Sequence, residues 1–113
     1  MVPTPAPDPF DAPLNALGDP QRREILRLLG ASELPVQAIA DALPISRPAV
    51  SRHLRLLKEA GLVDEEPRGT RRIYRLRAEG VAAVQAYLEQ VWGEAAARFR
   101  LAAENRPARE ERR

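Results

Sequence analysis

The chain has 113 residues, of which 44% are hydrophobic, so it can form one compact domain, and a core this small favours association with a second copy. It contains no cysteine, which excludes disulfides and thiolate metal sites, and no run approaches the ~18 apolar residues of a transmembrane helix. The formal net charge is only +2, and we expect a soluble, cytoplasmic protein with no membrane partner.

Residues 1–9 contain four prolines and lack the basic-then-apolar pattern of a signal peptide, so they are expected to be a disordered leader. Phe10, Leu14 and Leu17 then recur at the spacing of one helical face. This spacing predicts a short first helix that ends at Gly18.

Two further helices follow, each with a local start signal. Asp19-Pro20 is typical of an N-cap followed by the first residue of a helix, and this second helix should run to about Gly30. Pro35 is expected to open the third helix and Pro44 to stop it. The predicted buried residues are Ile25, Leu28, Leu29, Val36, Ile39, Ala40 and Leu43, and the arginines predicted to be exposed are Arg22, Arg23 and Arg27.

A fourth helix and a hairpin complete the middle of the chain. Ser46 can cap the fourth helix, whose inner stripe is Val50, Leu54 and Leu57, and Gly61 can end it in a left-handed conformation. From Leu62 to Arg77 the residues become strand-forming and enclose the turn-like segment 67–70. We therefore predict a β-hairpin with an arginine-rich tip.

Apolar residues recur at helical spacing from Val81 to Ala102, which predicts a last helix of about 24 residues, ~36 Å long. So small a domain cannot cover a helix of this length, so part of its apolar face should meet a partner chain. We take residues 10–103 as the domain and 104–113 as a charged flexible tail. The residues predicted for the dimer interface are Phe10, Leu14, Leu17, Val84, Leu88, Val91, Trp92, Ala95 and Phe99, and Tyr87 is given the same role.

The order of elements predicts a mainly α fold with a small β-hairpin. Two short helices joined by a tight turn form a helix-turn-helix, and the hairpin after them forms a wing. Residues 47–77 carry nine Arg or Lys against four Asp or Glu, which is the local basic surface that nucleic-acid binding needs. The predicted fold is therefore a winged helix-turn-helix that binds double-stranded DNA.

The fourth helix should present its polar face to the major groove, and the wing should contact the flanking backbone. His53 either contacts DNA or packs beside the wing against a backbone group, and Arg75 and Arg77 are interpreted as surface residues. We find no catalytic constellation, no metal site and no cofactor motif, so an enzyme is not expected. The predicted DNA-binding residues are Ser46, Arg47, Pro48, Ser51, Arg52, His53, Arg55, Arg68, Thr70, Arg71 and Arg72.

Four segments together make the sequence recognisable: 17–26 (LGDPQRREIL), 45–54 (ISRPAVSRHL), 56–63 (LLKEAGLV) and 69–76 (GTRRIYRL). They closely resemble the ArsR-type winged-helix repressors over about residues 10–102. The resemblance implies a dimer paired through its first and last helices, a palindromic operator near its own promoter, and release of DNA when a signal binds.

The sequence departs from that family in two places. Metal-sensing members carry a cysteine pair in the third helix, or a histidine and carboxylate cluster on the last one. This chain has residues 36–40 (VQAIA) at the first place and no histidine at the second, which excludes metal sensing of those kinds. The other departure is Pro44, at a turn position where many relatives have glycine.

Two other functions remain open at this stage. A winged helix can serve as a protein-interaction module, with its arginines only increasing solubility, or as an architectural DNA binder without sequence preference. The inducer is also open between an apolar small molecule at the dimer interface, a partner protein, and no ligand at all.

Overall fold

The computed structural model describes residues 8–105, so most of the predicted leader and of the predicted tail lies outside the described residues. The helices are α1 (Asp11–Leu17), α2 (Pro20–Ala31), α3 (Val36–Ala42), α4 (Arg47–Glu59) and α5 (Ala78–Glu104). The strands are β1 (Leu34–Pro35), β2 (Val63–Arg68) and β3 (Arg71–Leu76). The predicted winged-helix fold, mainly helical with a small hairpin, is confirmed.

The predicted start signals of α2 and α4 are confirmed as N-caps. Asp19 Oδ1 accepts hydrogen bonds from the backbone N–H groups of Gln21 (2.8 Å) and Arg22 (3.1 Å). These bonds lower the pKa of the Asp19 carboxyl from its ordinary value, and the bond from Arg22 has the larger effect. Ser46 Oγ accepts from the N–H of Ala49 at 3.2 Å, and each helix has proline in its first turn.

Helix α4 ends in the left-handed turn that the sequence predicts. Gly61 has φ +79°, and its N–H donates to the carbonyl of Lys58 at 3.0 Å. The N–H of Leu62 reaches back to the carbonyl of Leu57, also at 3.0 Å. This pair of bonds is a Schellman motif, which directs the chain from the helix into β2.

The hairpin is part of a three-stranded antiparallel sheet with the order β1-β3-β2. Strand β1 was not predicted, because two residues that include a proline carry no strand pattern. The turn is also shorter than the predicted segment 67–70: Arg68 pairs with Arg71, which leaves Gly69 (φ +63°) and Thr70 as the loop. Pro67 lies inside β2, where its missing N–H is tolerated because β2 is an edge strand.

The core lies between α2, α3 and α4. Ile25, Ile39, Val50 and Leu57 have no exposed surface, and the inner faces of the hairpin and of α5 close the core. Some burial expectations for α2 and α3 were wrong: Leu28, Val36 and Ala40 are only half-buried, and Arg22 is half-buried rather than exposed. The remaining buried hydrophobic residues are Ala16, Leu29, Leu43, Leu54, Leu62, Val63, Ile73 and Val84.

Helix α5 has 27 residues, and only Val84 is buried. Its first turn is close to the end of α4, since a Cβ placed on Gly80 would lie 1.8 Å from the carbonyl oxygen of Gly61. Farther along, Trp92 is 75% exposed and Phe99 is 71% exposed. The C-terminal part of α5 therefore has little contact with its own domain. None of the helices between residues 8 and 105 combines the length and apolar character needed to span a bilayer.

Candidate nucleic-acid interface

Helix α4 has one apolar and one polar side. Val50, Leu54 and Leu57 anchor it in the core, so the opposite face points outward. That outer face is basic, and the first turn of the helix contains no acidic residue to offset its positive dipole end. As predicted, the exposed residues of this face include Arg47, Pro48, Ser51, Arg52 and Arg55.

A groove of about 400 Å³ separates the start of α4 from the wing, and we call it the α4–wing groove. Side chains that lie 19 or more positions apart in the sequence, such as Ser51 and Thr70, line the same concave surface. The fold thus brings residues predicted for DNA binding from the helix and the wing together. The lining residues are Pro35, Val36, Gln37, Arg47, Ser51, Thr70, Arg71, Arg72 and Tyr74.

A chain of side-chain hydrogen bonds connects the start of α4 with α3. Arg47 Nη1 donates to Gln37 Oε1 at 3.1 Å, and Gln37 Nε2 donates to Asp41 Oδ1 at 2.8 Å. Sequence reasoning missed Gln37. The i, i+4 spacing of Gln37 and Asp41 on α3 was visible, but their link to α4 depends on how the two helices meet.

The arginines of the wing differ in their acidic neighbours. Arg68 Nη2 lies 2.9 Å from Glu33 Oε1 and 3.2 Å from Glu66 Oε1, and Arg75 also pairs with Glu66. The bonds from Arg75 and then Arg68 lower the pKa of the Glu66 carboxyl. Arg71 is exposed and has no ion pair within residues 8–105. The sequence alone had ranked Arg68, Arg71 and Arg72 as equivalent.

Glu65 connects the wing to the last turn of α4. Its Oε1 lies 2.7 Å from Lys58 Nζ and 3.4 Å from Arg72 Nη1, and its side chain is only 15% exposed. The hydrogen bond from Lys58, followed by that from the Tyr74 hydroxyl, lowers the pKa of Glu65. Burial, reinforced by Glu65, raises the pKa of Tyr74 to about 12. These contacts fix the orientation of the wing relative to α4.

His53 lies on the side of α4 that faces α2. It is half-buried, and Arg22 Nη1 is 3.3 Å from its Nδ1, while Arg22 Nε donates to the carbonyl of Ala16 at 2.9 Å. Its neighbour is therefore a side chain of α2, whereas sequence reasoning had considered a backbone group beside the wing. A DNA contact by His53 remains a prediction.

The residues predicted for the dimer interface fall into two groups. Near the domain body, the ring of Phe10 stacks on Tyr87 of the same chain, with centroids 4.2 Å apart and an interplanar angle of 18°. Leu14 and Leu17 are half-buried. Val84, also predicted for the interface, is buried in the core of its own domain. On the farther part of α5 the predicted residues are exposed, namely Leu88, Val91, Trp92, Ala95 and Phe99, as is Leu101, which was not predicted.

No cluster of three or more His, Asp or Glu side chains suited to a metal ion occurs between residues 8 and 105. Exposed basic side chains instead follow the outer face of α4 and the wing, namely Arg47, Arg52, Arg55, Arg71 and Arg72. This arrangement suits recognition of an extended polyanion better than that of a single ion.

Residues 17–66, which include α2, α3 and α4, match a family model described as a helix-turn-helix domain. The chain is 46% identical over 82 residues to the HTH-type transcriptional regulator Rv2034 of Mycobacterium tuberculosis, covering 73% of this chain and 77% of that protein. It is 42% identical over 78 residues to the HTH-type transcriptional repressor SmtB of the same species, covering 64% of this chain and 58% of the repressor.

A similar fold occurs in a solved structure from Mycobacterium bovis. The protein is Mb0332, named as a homodimeric winged helix-turn-helix DNA-binding domain of a possible ArsR-family transcriptional regulator. The TM-score is 0.64 at 36% sequence identity, and the match covers 79% of this chain and 82% of that domain. Both the helix-turn-helix and the wing of this chain thus have counterparts among DNA-binding regulators.

Proposed function

Because the chain belongs to the ArsR-type winged helix-turn-helix transcriptional regulators, we propose that it represses transcription as a homodimer bound to a palindromic operator. The observation that carries this proposal is the α4–wing groove, a concave surface that Arg47 and Ser51 of α4 share with Thr70, Arg71 and Arg72 of the wing. The anchored apolar side of α4 supports it, since a rigid helix can enter the ~12 Å major groove.

The two parts of this surface have different tasks. Residues in the first two turns of α4, among them Arg47, Ser51 and Arg52, read base edges, because the N-terminal end of a recognition helix penetrates the groove most deeply. Ser46 contacts a phosphate at the start of α4, which the positive end of the helix dipole favours. The wing contacts the flanking backbone through Thr70 and Arg71, and Arg72 and Arg68 do so after releasing their carboxylate partners.

A second copy of the chain supplies the symmetry of the operator. The exposed apolar residues of α5, such as Trp92 and Phe99, pair with the same helix of the partner, and α1 with Leu14 extends the contact. A twofold dimer presents two α4 helices, which requires a palindromic site. The homodimeric state of the Mycobacterium bovis domain supports this assembly.

We further infer that the protein is not an enzyme and acts in the cytoplasm. The polar residues that could suggest catalysis already have structural partners: Ser46 caps α4, and His53 lies against Arg22. Among residues 8–105, no hydrogen bond joins a serine or threonine hydroxyl to His53, as a nucleophile activated by a general base would require.

The proposal is tested by selecting duplexes from a randomised DNA library with the purified protein. We expect a palindromic sequence to be enriched and to bind at least ~10³ times more tightly than a shuffled duplex of the same composition, as measured by fluorescence anisotropy. A Ser51→Ala, Arg52→Ala double variant should lose at least about tenfold of this preference, because base contacts contribute ~1–3 kcal/mol each.

Arg27→Ala is the matched control, since it removes an exposed arginine on α2 whose ion pair within residues 8–105 is with Glu24. It should leave the preference unchanged. Tight binding with no enriched sequence would instead indicate an architectural DNA binder. Absence of duplex binding would indicate a protein-interaction module.

A further inference from the structure

Gln37 of α3 lies between a carboxylate and an arginine of the α4–wing groove. Its side-chain oxygen accepts from Arg47 at 3.1 Å, and its side-chain nitrogen donates to Asp41 at 2.8 Å. All three side chains are exposed, so none of them is needed to fill the core. These bonds therefore order an arginine at the surface without contributing to the packing of the domain.

The two neighbours allow only one orientation of the Gln37 amide. An ionised carboxylate only accepts hydrogen bonds and a guanidinium only donates them, whereas an amide has one end of each kind. The amide must turn its NH₂ group to Asp41 and its oxygen to Arg47, because the flipped amide would lose both bonds. Asp41 thus sets the direction of Gln37, and Gln37 sets the position of Arg47.

Arg47 is the first residue of α4, at the end of the helix that would enter the major groove. A free arginine side chain loses much rotational freedom when it is fixed on a base. The bond to Gln37 occupies Arg47 Nη1 and leaves other N–H donors of the guanidinium available for a ligand. Ordering before binding reduces the entropic cost and favours one direction of the guanidinium plane.

We propose that Gln37 is a positioning residue for sequence recognition: held by Asp41, it orients the Arg47 guanidinium for a base edge in the operator. This inference rests on the proposed function. A positioning residue differs from a phosphate-binding residue, because Gln37 carries no charge and acts through Arg47. Its effect therefore falls on the choice of sequence rather than on the general attraction to DNA.

The test replaces Gln37 by methionine, which has a similar length and forms neither hydrogen bond. Binding is measured with the library-selected duplex and with its shuffled counterpart over a series of salt concentrations. We expect Gln37→Met to reduce the preference for the selected duplex about tenfold. The salt dependence on the shuffled duplex should not change, since Arg47 keeps its charge. Gln90→Met, at an exposed position of α5, is the matched control.

Arg47→Met and the double variant show whether Gln37 acts through Arg47. Arg47→Met should lose the preference and also reduce the salt slope, and adding Gln37→Met should cause no further loss. If adding Gln37→Met to Arg47→Met reduced the preference as much as Gln37→Met does alone, Gln37 would contact DNA by itself. That result would overturn the positioning role. A Gln37→Met variant that keeps the preference while Arg47→Met loses it would overturn the inference and leave the proposed function intact.

Asp41→Asn provides an independent measurement. It frees the Gln37 amide to flip and removes a negative charge near the DNA, so the preference should fall while binding to the shuffled duplex stays equal or becomes tighter. If Asp41 had only a structural role, Asp41→Asn would weaken binding to both the selected and the shuffled duplex. If Arg47→Met itself leaves the preference unchanged, the assignment of α4 to base recognition fails together with this inference.

Discussion

The arginines of the wing show how local surroundings separate residues of the same type. Glu33 and Glu66 hold Arg68, so a phosphate can bind it only in exchange for these carboxylates. Arg71, the first residue after the turn, has no such competitor among residues 8–105. A phosphate contact by Arg71 therefore contributes its full interaction energy. The same contact by Arg68 contributes only the difference between the phosphate interaction and the ion pairs that it replaces.

We predict that Arg71→Gln lowers the log–log slope of DNA affinity against salt concentration by ~0.9, which corresponds to the loss of one phosphate contact. Arg68→Gln should lower it by clearly less, because its ion pairs already offset part of its charge. Anisotropy titrations between low and high salt measure both slopes. The reverse order of the two effects would contradict this account of the wing.

Sequence reasoning was accurate where the physical cause is local. The caps formed by Asp19 and Ser46 depend on neighbours two or three residues away, and the turn at Gly61 depends on backbone conformation alone. The contact between Arg68 and Glu33 joins residues 35 positions apart. Such a pair follows from the meeting of the α2–β1 connection with the wing, so no spacing in the chain could reveal it.

At the scale of elements, two glycines of α5 have opposite surroundings. A Cβ on Gly80 would meet the backbone of Gly61 at 1.8 Å for the oxygen and 2.9 Å for the carbon, whereas a Cβ on Gly93 would have no atom within 4 Å. Gly80 therefore permits the close approach of α5 to the end of α4. Gly93 only weakens the helix, because glycine is a poor helix former.

We predict that Gly80→Ala destabilises the fold by about 2–3 kcal/mol, since rigid backbone atoms must move apart. Gly93→Ala should stabilise it by about 0.5–1 kcal/mol through helix propensity. Denaturation of both variants in urea, at one protein concentration, gives the two free energies of unfolding. A stabilising Gly80→Ala would show that α5 does not pack on the Gly61 turn as described.

Element boundaries illustrate where periodicity is sufficient and where it fails. The spacing of apolar residues between Val81 and Ala102 predicted α5, and the observed helix extends a few residues beyond this range at each end. Strand β1 escaped prediction because its two residues, Leu34 and Pro35, become a strand only by pairing with Tyr74 and Ile73 of β3. Long amphipathic elements are thus encoded locally, while a strand this short is created by its partner.

At the scale of the whole molecule, α5 extends ~40 Å, and from Leu88 onward its large apolar side chains are exposed in the part of the chain that the structure describes. We predict that Trp92→Glu weakens the proposed dimer at least about 30-fold, because buried tryptophans commonly contribute 2 kcal/mol or more to an interface. Sedimentation equilibrium measures the dissociation constant.

Gln90→Glu is the matched control for this experiment. It adds the same charge about 200° around the helix from Trp92, away from the apolar side. The control should leave the dissociation constant almost unchanged, and helical content by circular dichroism should be similar in both variants. Equal dimerisation of Trp92→Glu and Gln90→Glu would exclude α5 as the dimer face.

The exposed length of α5 also has a consequence for gene dosage. Suppose that the chains are mostly monomeric, that each operator binds two of them, and that few operators are occupied. By mass action, the bound fraction of the operator then rises with the square of the total chain concentration. A doubling of expression then raises occupancy about fourfold. For the proposed dimer, the concentration of the protein therefore itself regulates operator occupancy. The affinity of the two α5 helices for each other sets the concentration at which the operator becomes occupied.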